Sequence, residues 1–131
     1  MQPGSIAIMH HHLHPGGVTR IIDSQVKSLT DQYPGLKIRV ICGYADQTDR
    51  YQKQGVQVIV NEDLNYFYDE NPPAEKILDL TRRITHYLRK VLDEHEVIHF
   101  HNLNLGKNPL VTYSLWQLAR EGRALINHAH D

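Results

Sequence analysis

Apolar residues recur along the chain in two alternating patterns, which predict strands and helices. Short apolar runs, typical of buried strands, occupy residues 5–9, 37–42, 56–60, 96–100 and 124–127. Apolar residues three and four positions apart, typical of a helix face, occupy residues 18–32, 74–93 and 109–121. Strands that alternate with helices pair in parallel through right-handed crossovers. We therefore predict an α/β fold, a Rossmann-like parallel sheet of about five strands with helices on both faces.

The third predicted helix carries the clearest end signals. Asn108 is a favoured N-cap residue, Pro109 suits the first turn, and Gly122 follows the last turn. The link at 43–55, between the second and third strands, is polar and shows no helical face. We expect that link to be irregular.

The composition is typical of a globular domain and excludes some classes of partner. The chain has 131 residues, enough for one domain, with 40% hydrophobic residues and a net charge of −1. This charge provides no basic field for nucleic acid, and no apolar run approaches the length of a membrane span. The amino terminus lacks the pattern of a signal peptide, and the single cysteine, Cys42, lies in an apolar run as a core residue would. We expect a cytoplasmic protein with no nucleic-acid partner.

A glycine pair separates the first predicted strand from the first helix. Gly16 and Gly17 would let backbone amides approach a ligand closely, and a helix that begins there points unpaired N–H groups at that ligand. A phosphate is the natural occupant, although a purely structural turn is an equal alternative from this pair alone. The spacing is not Gly-x-Gly-x-x-Gly, and Cys42 and Gly43 stand where an NAD site would have an acidic residue. The P-loop ending Gly-Lys-Ser/Thr is also missing.

Histidines collect where the predicted strands end. The chain has ten, and six of them crowd into two places: His10, His11, His12, His14, His99 and His101. In an open parallel sheet, ligands bind beyond the carboxyl ends of the strands, where segments 10–17, 61–71, 101–107 and 128–131 would meet. We expect His101, His128 and His130 to form a polar rim for a hydroxylated ligand. His99 alternates with Phe100 and is interpreted as a core histidine.

Three aromatic residues follow the third predicted strand. Tyr66, Phe67 and Tyr68 either stack on a sugar or form a lid over the end of the sheet.

Neighbouring histidines in an extended run point to alternate sides, and no Cys-x-x-Cys or His-Glu-x-x-His pattern is present. We therefore predict neither a metal site nor a cofactor.

Three segments together resemble one known family. They are 8–20 with its His-Pro-Gly-Gly-Val-Thr-Arg ending, 97–102, and 125–131 with its Asn-His-Ala-His-Asp ending. In order and spacing they resemble the N-terminal Rossmann-like domain of retaining, family 4-type glycosyltransferases of the GT-B fold. The resemblance implies a sugar transferase of hexosyltransferase type that uses a nucleotide-sugar donor.

The same resemblance implies roles for particular residues. The catalytic position beside the transferred sugar maps onto His130, or onto His128 if the strand register differs. The donor diphosphate and the acceptor would contact Gly16, Gly17, Arg20, His14, His101 and Asn102. Enzymes of this fold need no bound metal for the transfer.

The resemblance covers only part of such an enzyme. GT-B enzymes have a second Rossmann-like domain that holds most of the nucleotide, whereas this chain stops at Asp131. We interpret residues 1–131 as the truncated, acceptor-side N-terminal domain, without the C-terminal donor-binding domain and inactive by itself. The acceptor is not identified, peripheral membrane contact of the parent protein stays open, and a sheet cut short predicts self-association through its exposed edge. The alternative is a non-catalytic α/β domain that binds a phosphorylated or glycosylated ligand.

Overall fold

Strands and helices alternate along the chain as the apolar pattern predicts. The structure is a computed structural model and describes residues 4–130. Its strands are β1 (Ser5–Met9), β2 (Lys37–Cys42), β3 (Gln57–Val60), β4 (Val97–His101) and β5 (Leu125–His128). Its α-helices are α1 (Gly17–Gln32), α2 (Asp49–Gln52), α3 (Ala74–Val91) and α4 (Pro109–Arg120). Two 3₁₀ turns, Glu62–Leu64 and Leu103–Leu105, follow β3 and β4.

The five strands form one parallel sheet in the order β3-β2-β1-β4-β5. On one face, α1 and α2 cover a core in which Ile22 packs with Ile8. On the other face, α3 and α4 cover a second core that joins Leu88 and Leu115 to Phe100. This arrangement confirms the predicted Rossmann-like α/β fold with helices on both faces.

Strand pairing moves two predicted boundaries that matter for the site. β4 and β5 each lie one residue later than predicted, because the ladder between them extends to the pair His101–His128. Glu96, predicted as a strand residue, instead precedes β4, and its buried carboxylate pairs with Arg39 of β2. His101 and His128 are therefore the last residues of their strands rather than the first residues beyond them.

The remaining differences are local. The link predicted as irregular contains the one-turn helix α2, whose four residues are too few to show a periodicity. Helix α4 begins as predicted, since the Asn108 side chain accepts a hydrogen bond from the Val111 amide at 3.3 Å. Gly122 follows α4 with a φ of 96°, which favours glycine. No helix within residues 4–130 combines the length and apolar character needed to cross a lipid bilayer.

Candidate functional site

The carboxyl ends of β1, β4 and β5 lie side by side at one edge of the sheet. Met9 is level with Phe100, and Phe100 is level with Asn127. Because successive strand residues point to opposite faces, His99 and His101 share the face that α1 covers. Strand geometry thus brings histidines from three separate segments of the chain to one place.

Four of these histidines form a hydrogen-bonded array around Gln25 of α1. The Gln25 amide oxygen lies 2.8 Å from Nε2 of His101, and its amide nitrogen lies 3.2 Å from Nδ1 of His99. Each of these rings contacts a further histidine. His101 Nδ1 lies 2.8 Å from Nε2 of His130, and His99 Nε2 lies 3.1 Å from Nδ1 of His128. The rings of His128 and His130 stack with centroids 4.3 Å apart.

The hydrogen bonds of the array are those of neutral imidazole rings, each in a defined tautomer. The Gln25 amide nitrogen can only donate and its oxygen can only accept, so His99 accepts at Nδ1 and His101 donates from Nε2. The remaining ring hydrogens then complete the chain, with His99 donating to His128 and His130 donating to His101. Burial, reinforced by the neighbouring histidines, lowers the pKa of His101 to about 3, and burial also lowers the pKa values of His99 and His130. A charge on the buried His101 ring would be poorly solvated and would be repelled by charge on its neighbours.

A second group of histidines follows β1. His10 is 3% exposed and its Nδ1 has no hydrogen-bond partner within residues 4–130. Burial, with charge repulsion from His11, His12, His101 and His130, lowers the pKa of His10 to about 3. His10 is therefore the member of the second group that lies nearest to His101 and His130 of the array, and its Nδ1 atom makes no hydrogen bond within residues 4–130.

Aromatic contacts hold the neighbours of His10. His11 is buried, with Nδ1 2.9 Å from the Leu64 carbonyl oxygen, and its ring packs against Phe100. Nε2 of His12 lies 3.2 Å from the Tyr66 hydroxyl. The exposed ring of His14 stacks on Tyr44, with centroids 4.3 Å apart. Of these three, only His14 is turned towards solvent.

Helix α1 begins at the glycine pair, immediately after these histidines. Gly17 is its first residue, and Gly16 precedes it without any side-chain cap on the free amides. Thr19, inside the first turn, donates its hydroxyl to the His14 carbonyl oxygen at 2.5 Å. A Cβ at Gly16 would approach no neighbouring atom closer than 4.0 Å, and one at Gly17 would meet nothing within 4 Å. The first-turn amides are thus open to a ligand that approaches from solvent.

Arg20 does not join the histidine array. It lines a separate cleft of about 310 Å³ between α1 and the segment before α2, with Asp23, Asp46 and Arg50 among its neighbours. Gly16 also lines this cleft. The cleft therefore brings Arg20 beside the start of α1.

Asn102 acts within the chain as a clamp between two strand ends. It has left-handed backbone geometry, with a φ of 63°, which Asn tolerates better than most residues. Its amide donates to the His128 carbonyl oxygen at 2.8 Å, and its side-chain oxygen accepts from the His130 amide at 2.7 Å. Asn102 thus positions His130 beside His101. Its side-chain oxygen is engaged in that task.

The three consecutive aromatic residues 66–68 have different surroundings. Tyr66 packs against the rings of His11 and His12, whereas Phe67 packs with the core beneath α3 and α4. Tyr68 is 78% exposed. Tyr66 covers the end of β1, and Tyr68 is the member with a free aromatic face.

Gln25 and His99 of the array, and His10 beside it, are not among the predicted site residues. Gln25 lies on a helix whose pattern gives no sign of chemistry, so no local signal identifies it. His10 belongs to the conspicuous histidine run, but the pattern does not separate it from its neighbours. His99 is half-buried and hydrogen-bonded at both nitrogens rather than enclosed in the core. Its alternation with His101 is the signal that could have found it.

The chain is similar in sequence to a known protein. The chain is 32% identical over 112 residues to mannosylglucosyl-3-phosphoglycerate synthase from Petrotoga mobilis (strain DSM 10674 / SJ95). The match covers 82% of this chain and 22% of that protein, so the chain spans about a fifth of its relative's length. No protein-family model matches the chain.

Solved structures support the fold. The C-terminal domain of a hydrogenase from Pyrococcus furiosus superposes with a TM-score of 0.57 and 13% identity, over 95% of this chain and 91% of that domain. A second structure of that domain gives a TM-score of 0.54, with 12% identity and 95% and 89% coverage. At such identities the likeness extends to the fold alone.

Proposed function

We propose that this chain is the acceptor-side, N-terminal Rossmann-like domain of a GT-B sugar transferase. The parent protein would move a sugar from a nucleotide-sugar donor to an acceptor. The observation that carries the proposal is that β1, which leads to the uncapped start of α1, and β4 and β5, which carry the histidine array, end at the same edge of the sheet. The sequence similarity to mannosylglucosyl-3-phosphoglycerate synthase supports sugar transfer at this general level.

The glycine pair would stabilise the leaving diphosphate. In the transfer, the bond between the sugar carbon and the phosphate oxygen breaks, and negative charge develops on the diphosphate. Amides at Gly17 and the following residues carry no side-chain cap and are oriented before the reaction, so they would stabilise that charge at little reorganisation cost. The fold itself has room for a Cβ at both positions. Glycine would therefore be needed there because a ligand approaches the backbone closely.

His130 would position the transferred sugar. Its ring is held by the Asn102 clamp on its own backbone amide and by His101 at Nε2. A neutral imidazole so held can exchange hydrogen bonds with sugar hydroxyls but carries no charge to repel an oxocarbenium-like sugar. His128, stacked on His130, would support that orientation, and His14 with its free edge would contact the donor or the acceptor.

The donor domain would come from the rest of the parent protein. The chain spans 22% of its relative, which leaves ample length there for a second domain. We propose that the 131 residues alone do not transfer sugar. In this proposal the reaction is retaining and family 4-type, and it needs no metal.

The test uses the parent protein that contains this chain and the residues following it. Transfer is measured from a panel of nucleotide-sugars, including a nucleoside-diphosphate mannose with glucosyl-3-phosphoglycerate as acceptor, as the relative's name suggests. With an active pair found, His130→Ala should lower kcat on the order of 10²-fold, a loss typical of one positioned polar group at a reaction centre. His86→Ala, at an exposed position on α3, is the matched control and should leave kcat unchanged.

Two results would contradict the proposal. Near-normal turnover in His130→Ala would remove this ring from the reaction centre. Absence of transfer with every donor, together with saturable binding of a sugar phosphate by the 131-residue chain, would favour the non-catalytic binding domain instead.

A further inference from the structure

Three of the array's histidines stand close enough together to hold a metal ion. Ligand nitrogens of His99, His101 and His128 all lie within 4.8 Å of one another. The backbone accounts for this, because His99 and His101 share one face of β4 and His128 is level with His101 on β5. We propose that His99, His101 and His128 form a binding site for a late first-row divalent cation, with Zn²⁺ as the best match. The proposal does not rest on sugar transfer, and it describes a metal-loaded state distinct from the metal-free state in which His101 would hold His130 beside a sugar.

The spacing of one pair already suits a shared cation. Nε2 of His99 and Nδ1 of His128 are 3.1 Å apart. Two nitrogens bound to one tetrahedral zinc, with bonds of about 2.1 Å, stand ~3.4 Å apart. To bind one cation, the two nitrogens would need to separate by only about 0.3 Å, but both rings would tilt so that their lone pairs converge on the ion, and His99 would move its proton from Nε2 to Nδ1. Imidazole is a preferred ligand of zinc, copper and nickel.

The third ring, which stacks on His99, would have to rotate to bind the same ion. The ring centroids of His101 lie 4.8 Å from His99 and 4.9 Å from His128. Because Nε2 of His101 donates to Gln25, the electron pair of this ring is on Nδ1, which now accepts from His130. Binding would exchange that hydrogen bond for a metal bond and free Nε2 of His130. Three imidazoles would leave a fourth tetrahedral position for water or a ligand.

Gln25 supplies the outer support that such a site requires. A histidine bound to a metal donates its other ring N–H to an oxygen acceptor, which fixes its orientation. The Gln25 carbonyl oxygen already accepts from His101, and its second electron pair could accept from His99 once the amide rotates its nitrogen away from that ring. One glutamine can thus orient two of the three ligands.

The experiment separates this site from the other histidine run. The 131-residue chain is stripped with a chelator and titrated with Zn²⁺ by calorimetry and with Co²⁺ by visible absorption, which reports a tetrahedral site. The background carries His12→Gln and His14→Gln, because these more accessible rings could bind metal independently. One Zn²⁺ per chain is expected in that background.

The added variants give the decisive comparison. His128→Gln, at the edge strand, should lower Zn²⁺ affinity by at least ~100-fold, and Gln25→Leu should lower it by about 10-fold, as outer-shell losses do. His86→Gln is the matched control outside the array and should leave the affinity unchanged. His99→Gln serves as a second ligand variant, and circular dichroism checks that every variant is folded.

Either of two results would overturn the proposal. Loss of all Zn²⁺ binding in the His12→Gln/His14→Gln background would assign the metal to the exposed run. Unchanged affinity in folded His128→Gln and His99→Gln would show that these rings do not bind the ion.

Discussion

At the scale of single residues, two buried histidines, His101 and His10, strongly favour their uncharged form. His101 is fully buried, and its two nitrogens contact Gln25 and His130. His10 is almost as buried. Both have a pKa of about 3, against an ordinary value of 6.5. The unfolded chain therefore binds protons that the folded chain excludes.

This difference predicts acid sensitivity of the fold. The folded pKa is below the unfolded one, so stability is complete above about pH 6.5 and declines as the pH falls towards 3. Between about pH 7 and about pH 5, each such histidine should cost about 2 kcal/mol of unfolding free energy. Urea unfolding at several pH values measures this loss.

A variant identifies the source of the acid sensitivity. His101→Gln removes one titrating group and should make the dependence on pH shallower over the same range. Equal stability of the original chain at pH 7 and pH 5 would mean that these rings take up protons in the folded state as readily as in the unfolded state.

At the scale of elements, the end of β2 is held against the loop that follows β3. A Cβ at Gly43 would stand 2.5 Å from the Asn65 Cα and 2.7 Å from its Cβ. The loop is fixed there by Asn108, whose side-chain nitrogen donates to the carbonyl oxygens of Asp63 and Asn65 at 2.9 and 2.8 Å. Because the N-cap of α4 also holds this loop, the loop has little freedom to move away from β2.

Gly43→Ala should therefore destabilise the protein. The added methyl group must displace backbone atoms of Asn65, and overpacking of this kind costs about 1–3 kcal/mol. The measurement is the free energy of unfolding in urea. Gly35→Ala is the matched control, since a Cβ there meets nothing within 4 Å, and its stability should stay close to that of the original chain. Equal stability of the two variants would mean that the loop yields easily.

At the scale of the whole molecule, the sheet has an exposed side at β5. Within residues 4–130, β5 pairs with β4 alone, and its Ile126 side chain is 48% exposed. An unpaired strand edge with an apolar side chain is a template for pairing with another chain. The predicted self-association would occur here.

Sedimentation at increasing concentration tests this prediction. The original chain should form dimers, and Ile126→Lys should shift it towards monomer, because a charge beside an edge strand opposes pairing. Ile21→Lys is the matched control, since Ile21 is similarly exposed, at 42%, but lies on α1. A monomer at every concentration would contradict the prediction, and equal effects of both variants would place the contact elsewhere.

Sequence alone determined the features that depend on neighbours along the chain. Apolar spacing identified the three longer helices and all five strands, and hence the Rossmann-like class. Asn108 and Gly122 marked the ends of α4, because capping is a contact between residues a few positions apart. The start of α1 at the glycine pair was predicted to within one residue for the same reason.

Only the tertiary structure decided how distant residues meet. Gln25 is 74 positions from His99 and 76 from His101, and no local pattern couples them. The pairing of β4 with β5 extended both strands by one residue and made His101 and His128 strand ends. Arg20 lines a cleft with Asp46 and Arg50, two residues about thirty positions away along the chain, rather than joining the array. Periodicity reports which face of an element is buried, but which side chains share that burial depends on strand order and register, which are set by contacts across the whole molecule.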